Sequence, residues 1–139
     1  MEKIIGLDLG SKTCGIAISD ALGMIAHGIE TYRFDNEDYD SVIVRVEELV
    51  KENSVKKIVL GLPKHMNGDI GIRAEISIMF KEKLEASINN IEVILVDERL
   101  STKVAENGLI FANVSRKKRK KVIDKMAAIT ILQGYLDSH

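Results

Sequence analysis

The chain has one cysteine, Cys14, and three scattered histidines, His27, His65 and His139, among its 139 residues. A single thiol excludes an internal disulfide and any zinc site built from several thiolates, and the histidines lie too far apart to replace them. No apolar run approaches the roughly 18 residues that a membrane-spanning helix needs. The amino terminus, MEKIIGLDLG, also lacks the basic-then-apolar layout of a secretion signal. We therefore expect a soluble, cytoplasmic protein without a membrane partner.

The composition fits one globular domain over residues 1–139, because 45% of the residues are hydrophobic and 29% are charged. The net charge is only -1, but the charges are unevenly placed. Six of the 20 basic residues stand in one run, which leaves 14 basic against 21 acidic residues elsewhere. We call this run the basic run; it consists of Arg116, Lys117, Lys118, Arg119, Lys120 and Lys121.

Hydrophobic periods and turn residues divide the chain into short strands and longer helices. Three strands with short connections come first and predict an antiparallel meander, over residues 3–9, 14–19 and 24–33. Helices and buried strands then alternate: a helix over 38–52, a strand over 58–62, a helix over 70–88, a strand over 91–96 and a helix over 122–137. This alternation predicts parallel pairing, since parallel neighbours need crossover connections. The fold class is therefore α/β, with a mixed sheet flanked by helices.

Asp8 stands on the first strand between Gly6 and Gly10, on the face opposite the apolar residues of that strand. Gly15 and Ala17 form a similar small row on the second strand. Two interpretations remain open. The small residues either let a phosphate or a metal approach the carboxylate, or admit a closely packed helix while Asp8 pairs locally. A carboxylate beside apolar neighbours needs a partner in either case.

Two further acids, Asp97 and Glu98, end the apolar strand 91–96. Adjacent strand residues face opposite sides, so only one of the two shares a face with Asp8, and the spacing leaves open which. The ends of parallel strands are a usual ligand site. These residues are equally compatible with a helix start capped by Ser101 or Thr102.

Asp124 shares a helix face with Ala127 and Ala128, a face flat enough to press on the sheet. The pattern predicts that Asp124 points inward near the helix start, and the alternative is a solvated acid that complements the helix dipole. Three converging acids would form an oxygen-rich site for magnesium or manganese. A pair of such ions about 4 Å apart assists phosphodiester hydrolysis, with water as nucleophile.

The basic run directly precedes the final helix, close to Asp124. It is suited to hold phosphates independently of base sequence, and a solvated basic loop is the ordinary alternative. No aromatic residue interleaves the run, so base stacking is not indicated there. The roles of Lys64, His65 and Asn67, in the loop after strand 58–62, stay open, and we assign His65 no catalytic role.

Four segments, in order and nearly end to end, resemble the YqgF/RuvX family of pre-16S rRNA nucleases, also called Holliday junction resolvase-like proteins. They are GLDLGSKTCGIAISD, VLGLPKHMNGDIG, VDERLST and SRKKRKKVIDKMAAITILQGYL. The resemblance implies a ribonuclease H-like fold with a five-stranded mixed sheet. It also implies that Asp8, Glu98 and Asp124 are the catalytic, metal-binding triad, which chooses Glu98 over Asp97 by analogy. Lys12 and the basic run are then expected to bind nucleic acid.

The resemblance implies a nuclease dependent on Mg²⁺ or Mn²⁺ and leaves two substrates open. One is the 5′ end of precursor 16S rRNA in ribosome biogenesis, with the ribosome as a further partner; this is our preferred reading. The other is four-way DNA in recombination and repair. Cutting a junction would require two active sites and hence a homodimer, so monomer and homodimer both remain open.

Two other classes of function are compatible with parts of the sequence. A noncatalytic RNA- or ribosome-binding module would not need three acids at the candidate ligand positions, and their presence argues against it. The segment DLGSKTCGIAISD is also similar to the phosphate-binding hairpin of actin-like ATPases and sugar kinases. Those proteins clamp a nucleotide between two domains, whereas 139 residues supply one.

Overall fold

Five strands form one sheet in the computed structural model, which describes residues 3–10, 12–36, 38–62, 72–97 and 116–138. The strand order across the sheet is β3-β2-β1-β4-β5. Their bounds are β1 Ile4–Leu9, β2 Thr13–Ser19, β3 Ala26–Arg33, β4 Lys57–Leu62 and β5 Glu92–Asp97. β1 pairs antiparallel with β2, and β2 with β3, while β1, β4 and β5 run parallel. The predicted meander and the predicted parallel pairing are both confirmed.

Three helices cover the two faces of the sheet in the described part of the chain, namely α1 Tyr39–Asn53, α2 Ile72–Ser87 and α3 Arg116–Ser138. The apolar residues of β1 that face α1 and α2 are Ile5, Leu7 and Leu9, all buried. The opposite face carries Ala17 and Val59 and packs against α3. This division follows the alternation of side chains along each strand. It places the even-numbered residues of β1 under α3.

Cys14 is fully buried in the α1 and α2 layer, among the core residues. α1 buries one apolar stripe, including Val42, Val46 and Leu49, at the helical spacing read from the sequence. The helix ends where Ser54 takes a left-handed conformation with φ 55°. Within the described ranges, no helix combines the length and the apolar character that crossing a bilayer requires.

The start of α3 differs from the prediction. The helix begins at Arg116, so the basic run forms its first turns instead of a loop before residue 122. Lysine and arginine are good helix formers, and neither glycine nor proline interrupts residues 116–133, which explains the longer helix. Asp124 consequently lies in the third turn and not near the helix start. The dipole explanation for this acid fails, because that effect is confined to the first turn.

Candidate active site

Asp8 lies near the carboxyl end of β1, the central strand of the sheet, and is half-buried. It pairs with Gly15 of β2, and the residue before it, Leu7, pairs with Leu60 of β4. Gly15 has no side chain beyond hydrogen, so this position of the neighbouring strand places no side chain beside the carboxylate. The row of small residues predicted on β2 therefore lies beside β1, with Gly15 paired to Asp8.

Gly6 shows how closely α3 approaches the same face. A Cβ atom built on Gly6 would lie 2.7 Å from Cβ of Leu132 and 3.1 Å from the carbonyl oxygen of Ala128. Both distances are shorter than ordinary van der Waals contact, so only glycine fits beneath the helix. Of the two interpretations of the small residues, helix packing is correct at Gly6.

Side-chain contacts at the carboxyl end of α3 fix its direction. Lys57, the first residue of β4, donates a hydrogen bond from Nζ to the Tyr135 hydroxyl at 3.2 Å. Lys57 pairs with Ile4, the first residue of β1. Tyr135 thus lies beside the start of β1. The helix α3 therefore runs antiparallel to β1, and its amino-terminal turns lie toward the carboxyl end of that strand.

Because α3 runs antiparallel to β1, the backbones of Asp124 and Asp8 lie at a similar position along the axis of β1. Asp124 precedes Ala128 by one helical turn, about 6 Å, and Asp8 follows Gly6 by two strand residues, about 6.6 Å. Ala128 lies directly over Gly6. The helical segment with Asp124 is consequently found near the carboxyl end of β1, on the face that Asp8 shares.

The remaining predicted site residues are only partly described. Glu98 lies outside the described residues, as do Lys64, His65 and Asn67. Asp97 closes β5 opposite Leu62. Among the side chains that the structure describes, no group of three or more histidine, cysteine, aspartate or glutamate residues is able to hold a metal.

The predicted nucleic-acid-binding residues occupy two elements. Lys12 is exposed in the turn between β1 and β2, and its carbonyl oxygen accepts a hydrogen bond from Phe34 N at 3.0 Å. The turn is closed by a 2.7 Å hydrogen bond from Gly10 N to Thr13 O. This turn directly follows the strand end that carries Asp8. The basic run begins α3, and the amino-terminal end of this helix points toward the carboxyl end of β1.

Apart from Gly6, for which helix packing was one of the two interpretations, the residues that position α3 were not identified from the sequence. Gly6, Lys57 and Tyr135 fix the depth and direction of the helix, and the polar side chain of Gln133 contacts the β2–β3 connection. Gln133 has a local sequence signal, since it is a polar residue among apolar neighbours in the last helix. Contacts between residues 78 or more positions apart, such as Lys57 with Tyr135, leave no local pattern.

The sequence of this chain matches a known protein family over nearly its full length. A family model described as "RuvX: Holliday junction resolvase" matches residues 2–138. The chain belongs to the RuvX family. The RuvX relatives of Staphylococcus epidermidis and Staphylococcus haemolyticus are each 57% identical to it over 137 residues, with 99% of this chain and 96% of the relative covered. A Staphylococcus aureus relative is 53% identical with the same coverage. All three bear the name "Putative pre-16S rRNA nuclease".

Solved structures extend the comparison to the fold. T. thermophilus RuvC in complex with a Holliday junction superposes with a TM-score of 0.62 at 11% identity, covering 99% of this chain and 95% of that chain. The fowlpox virus resolvase in complex with Holliday junction DNA gives 0.61 at 19% identity, covering 98% and 97%. At these identities the likeness shows the ribonuclease H-like fold. The fold class that the resemblance implied is confirmed.

Proposed function

We propose that this RuvX-family chain is a metal-dependent nuclease that hydrolyses phosphodiester bonds in precursor 16S rRNA, at its 5′ end. The observation that carries the proposal is the half-buried Asp8 on the central strand, beside the face against which α3 brings its acid-bearing turn. Relatives that are 57% identical over nearly the full chain are named for the same RNA. We take residues 1–139 as one nuclease domain that acts in the cytoplasm.

Asp8, Glu98 and Asp124 are the proposed metal ligands. Three carboxylates and no thiolate suit a hard divalent ion, so the donor chemistry fits Mg²⁺ or Mn²⁺. When bound, such ions supply an activated water and stabilise the charge on the leaving oxygen. Gly15 beside Asp8 leaves room for a phosphate to approach the carboxylate.

The alternation of β5 supports Glu98 over Asp97 as the third ligand. Ile94 and Val96 pack with the α3 cluster, whereas Val93 and Leu95 belong with the opposite one. The even-numbered residues of β5 therefore share the α3 face with the even-numbered residues of β1, to which Asp8 belongs, and this parity favours an even-numbered ligand over Asp97. The alternation of β5 thus gives a physical argument for Glu98 over Asp97, which the family resemblance supported only by analogy.

Lys12 and the basic run are the proposed phosphate-binding residues. Lys12 is exposed in the turn that follows Asp8, and the run starts α3 on the same side of the molecule. Positive charges bind the sugar-phosphate backbone without reading bases. Their role is therefore to hold the nucleic acid while the acidic site cuts it.

Substitution of the acids tests the proposal. Asp8→Asn and Asp124→Asn keep side-chain shape while removing the charge that a divalent ion needs, so we expect each to abolish magnesium-dependent cleavage of labelled precursor RNA. Circular dichroism should show an unchanged fold. Asp38→Asn is the matched control, because Asp38 is exposed before α1 and makes no side-chain cap hydrogen bond. Undiminished cleavage by Asp8→Asn would refute the assignment.

A four-way DNA junction is the second candidate substrate, favoured by the family description and by the fold of the junction-bound resolvases. The two substrates are separated by incubating the protein with labelled precursor RNA and with a labelled junction, each with magnesium or a chelator. Cleavage of RNA alone supports the proposal, and cleavage of the junction alone replaces it. Binding without cleavage of either would indicate a noncatalytic RNA- or ribosome-binding module.

A further inference from the structure

Three large apolar side chains stand in solvent on the connection between β2 and β3. The exposed fractions are 63% for Leu22, 65% for Met24 and 54% for Ile25. Apolar side chains scattered singly are ordinary on protein surfaces, but three within four residues concentrate exposed apolar surface on one short connection. We call residues 20–25 the apolar loop.

Hydrogen bonds tie down the backbone of the apolar loop. Asp20 N donates to Ile25 O at 2.9 Å, and the Asp20 carboxylate accepts from Met24 N at 2.8 Å. Gln133 of α3 donates from Nε2 to Met24 O at 2.8 Å and accepts from Ala26 N at 2.9 Å. The apolar side chains are thus presented on an ordered scaffold, which reduces the entropy lost when a partner buries them.

Carboxylates flank the apolar patch. Asp20 accepts the N–H of Met24, and Asp137 accepts a 3.0 Å hydrogen bond from the Gln133 nitrogen that also donates to Met24 O. His27 is exposed on the next strand and lies near Asp20. An apolar centre with an acidic rim repels the phosphates of nucleic acid. It complements an apolar pocket rimmed by basic side chains.

The size of the patch favours a pocket in another protein over a second copy of this chain. Three exposed side chains supply at most a few hundred Å², whereas a stable interface buries about 800 Å² on each partner. Two apolar loops facing each other would not reach that area. A small, ordered group of apolar side chains is instead suited to fill an apolar pocket at the core of an interface whose rim is polar.

The apolar loop lies at the end of the sheet opposite the candidate active site. Ser19, which directly precedes it, accepts a hydrogen bond from Ile4 N at 2.8 Å at the start of β1. Asp8 lies four strand residues further along, about 13 Å away. A partner bound at the apolar loop therefore leaves the carboxyl end of β1 accessible to nucleic acid.

We propose that the apolar loop docks into an apolar, basic-rimmed pocket of a protein that presents the RNA substrate to the active site. The inference rests on the proposed function, because it takes the substrate to be precursor rRNA held in a ribonucleoprotein particle. Docking at one end of the sheet raises the local concentration of RNA at the other end.

The test compares purified small-subunit precursor particles with protein-free precursor RNA extracted from them. The loop variant carries Leu22→Ser with Met24→Ser, and the control carries Val44→Ser with Ile78→Ser, which are exposed apolar residues on α1 and α2. We expect the loop variant to bind particles at least about tenfold more weakly in co-sedimentation. Its cleavage of protein-free RNA should match that of the wild type, and the control should match the wild type in both assays.

Folding is checked by thermal denaturation, and Leu22→Gln with Met24→Gln, which preserves side-chain length, should reproduce the result. Undiminished particle binding by a folded loop variant would overturn the inference. Equal losses on particles and protein-free RNA would do the same, since the loop would then contact RNA, and so would a wild-type dimer that the variant dissociates. Wild-type protein that binds particles through the loop but cuts no RNA would refute the proposed function alone.

Discussion

At the scale of single residues, Asp20 shows how one carboxylate organises a connection. It accepts hydrogen bonds from Met24 N at 2.8 Å and, more weakly, from Ile25 N at 3.4 Å. The backbone N–H of Met24 is the main cause that lowers the pKa of Asp20 below its ordinary value of 3.8, and His27 adds a smaller electrostatic contribution. The charged form is therefore favoured in the folded protein.

The lowered pKa predicts a stability that depends on pH. Because the folded-state pKa lies below the unfolded value, Asp20 stabilises the fold fully above pH 3.8, and this stabilisation is lost as the pH falls through the folded-state pKa. Asp20→Asn keeps an acceptor oxygen but does not titrate. We expect the wild type to have the higher Tm at neutral pH, with the difference shrinking as the pH falls below 3.8. Circular dichroism at a series of pH values measures it, and a difference independent of pH would contradict the assignment.

At the scale of elements, the contact between α3 and β1 leaves no room for an added side-chain atom at Gly6. The helix lies on Gly6 with Leu132 and Ala128 directly above it. The same helix carries Asp124 eight residues after its first residue. The depth of this contact therefore governs both the packing of the face and the position of a proposed metal ligand relative to β1.

Two glycine substitutions distinguish the steric effect of a side chain in that contact from the effect of replacing glycine on backbone entropy. Gly6→Ala forces α3 away from the sheet, and we expect it to lower the free energy of unfolding by about 1–3 kcal/mol. Gly134→Ala meets no atom within 4 Å on the exposed side of α3, and we expect it to raise the same quantity by about 0.5–1 kcal/mol. Urea denaturation measures both changes. A neutral Gly6→Ala would show that the helix is not held at the depth described.

The elements themselves could be predicted from the sequence, because strand alternation and helical spacing are local patterns. β1, α1 and β4 lie within one residue of the predicted bounds. The predicted start of α3 was wrong because a run of like charges suggests a loop, whereas lysine and arginine favour helix formation. The sequence left helix packing at Gly6 as one of two interpretations and left the parity of β5 open, since both depend on how distant segments pack.

At the scale of the whole molecule, charge is divided between the first turns of α3 and the remainder of the chain. The run of six basic residues gathers at the helix start, while the rest carries more acids than bases. A positive helix end is unfavourable on its own because the helix dipole also places positive charge there. A bound anion relieves both effects, which is why the basic run is suited to phosphates.

The last prediction concerns salt. Each phosphate that a basic side chain neutralises on a single strand contributes about 0.7 to the slope of log affinity against log salt. Replacing the six residues of the basic run by glutamine should therefore weaken RNA binding and lower this slope by up to about 4. Fluorescence anisotropy over a range of salt concentrations measures it. Lys51→Gln with Lys83→Gln is the matched control, because both lysines lie on the helices of the opposite face. An affinity insensitive to salt, or an equal loss in the control, would show that the basic run does not hold the RNA backbone.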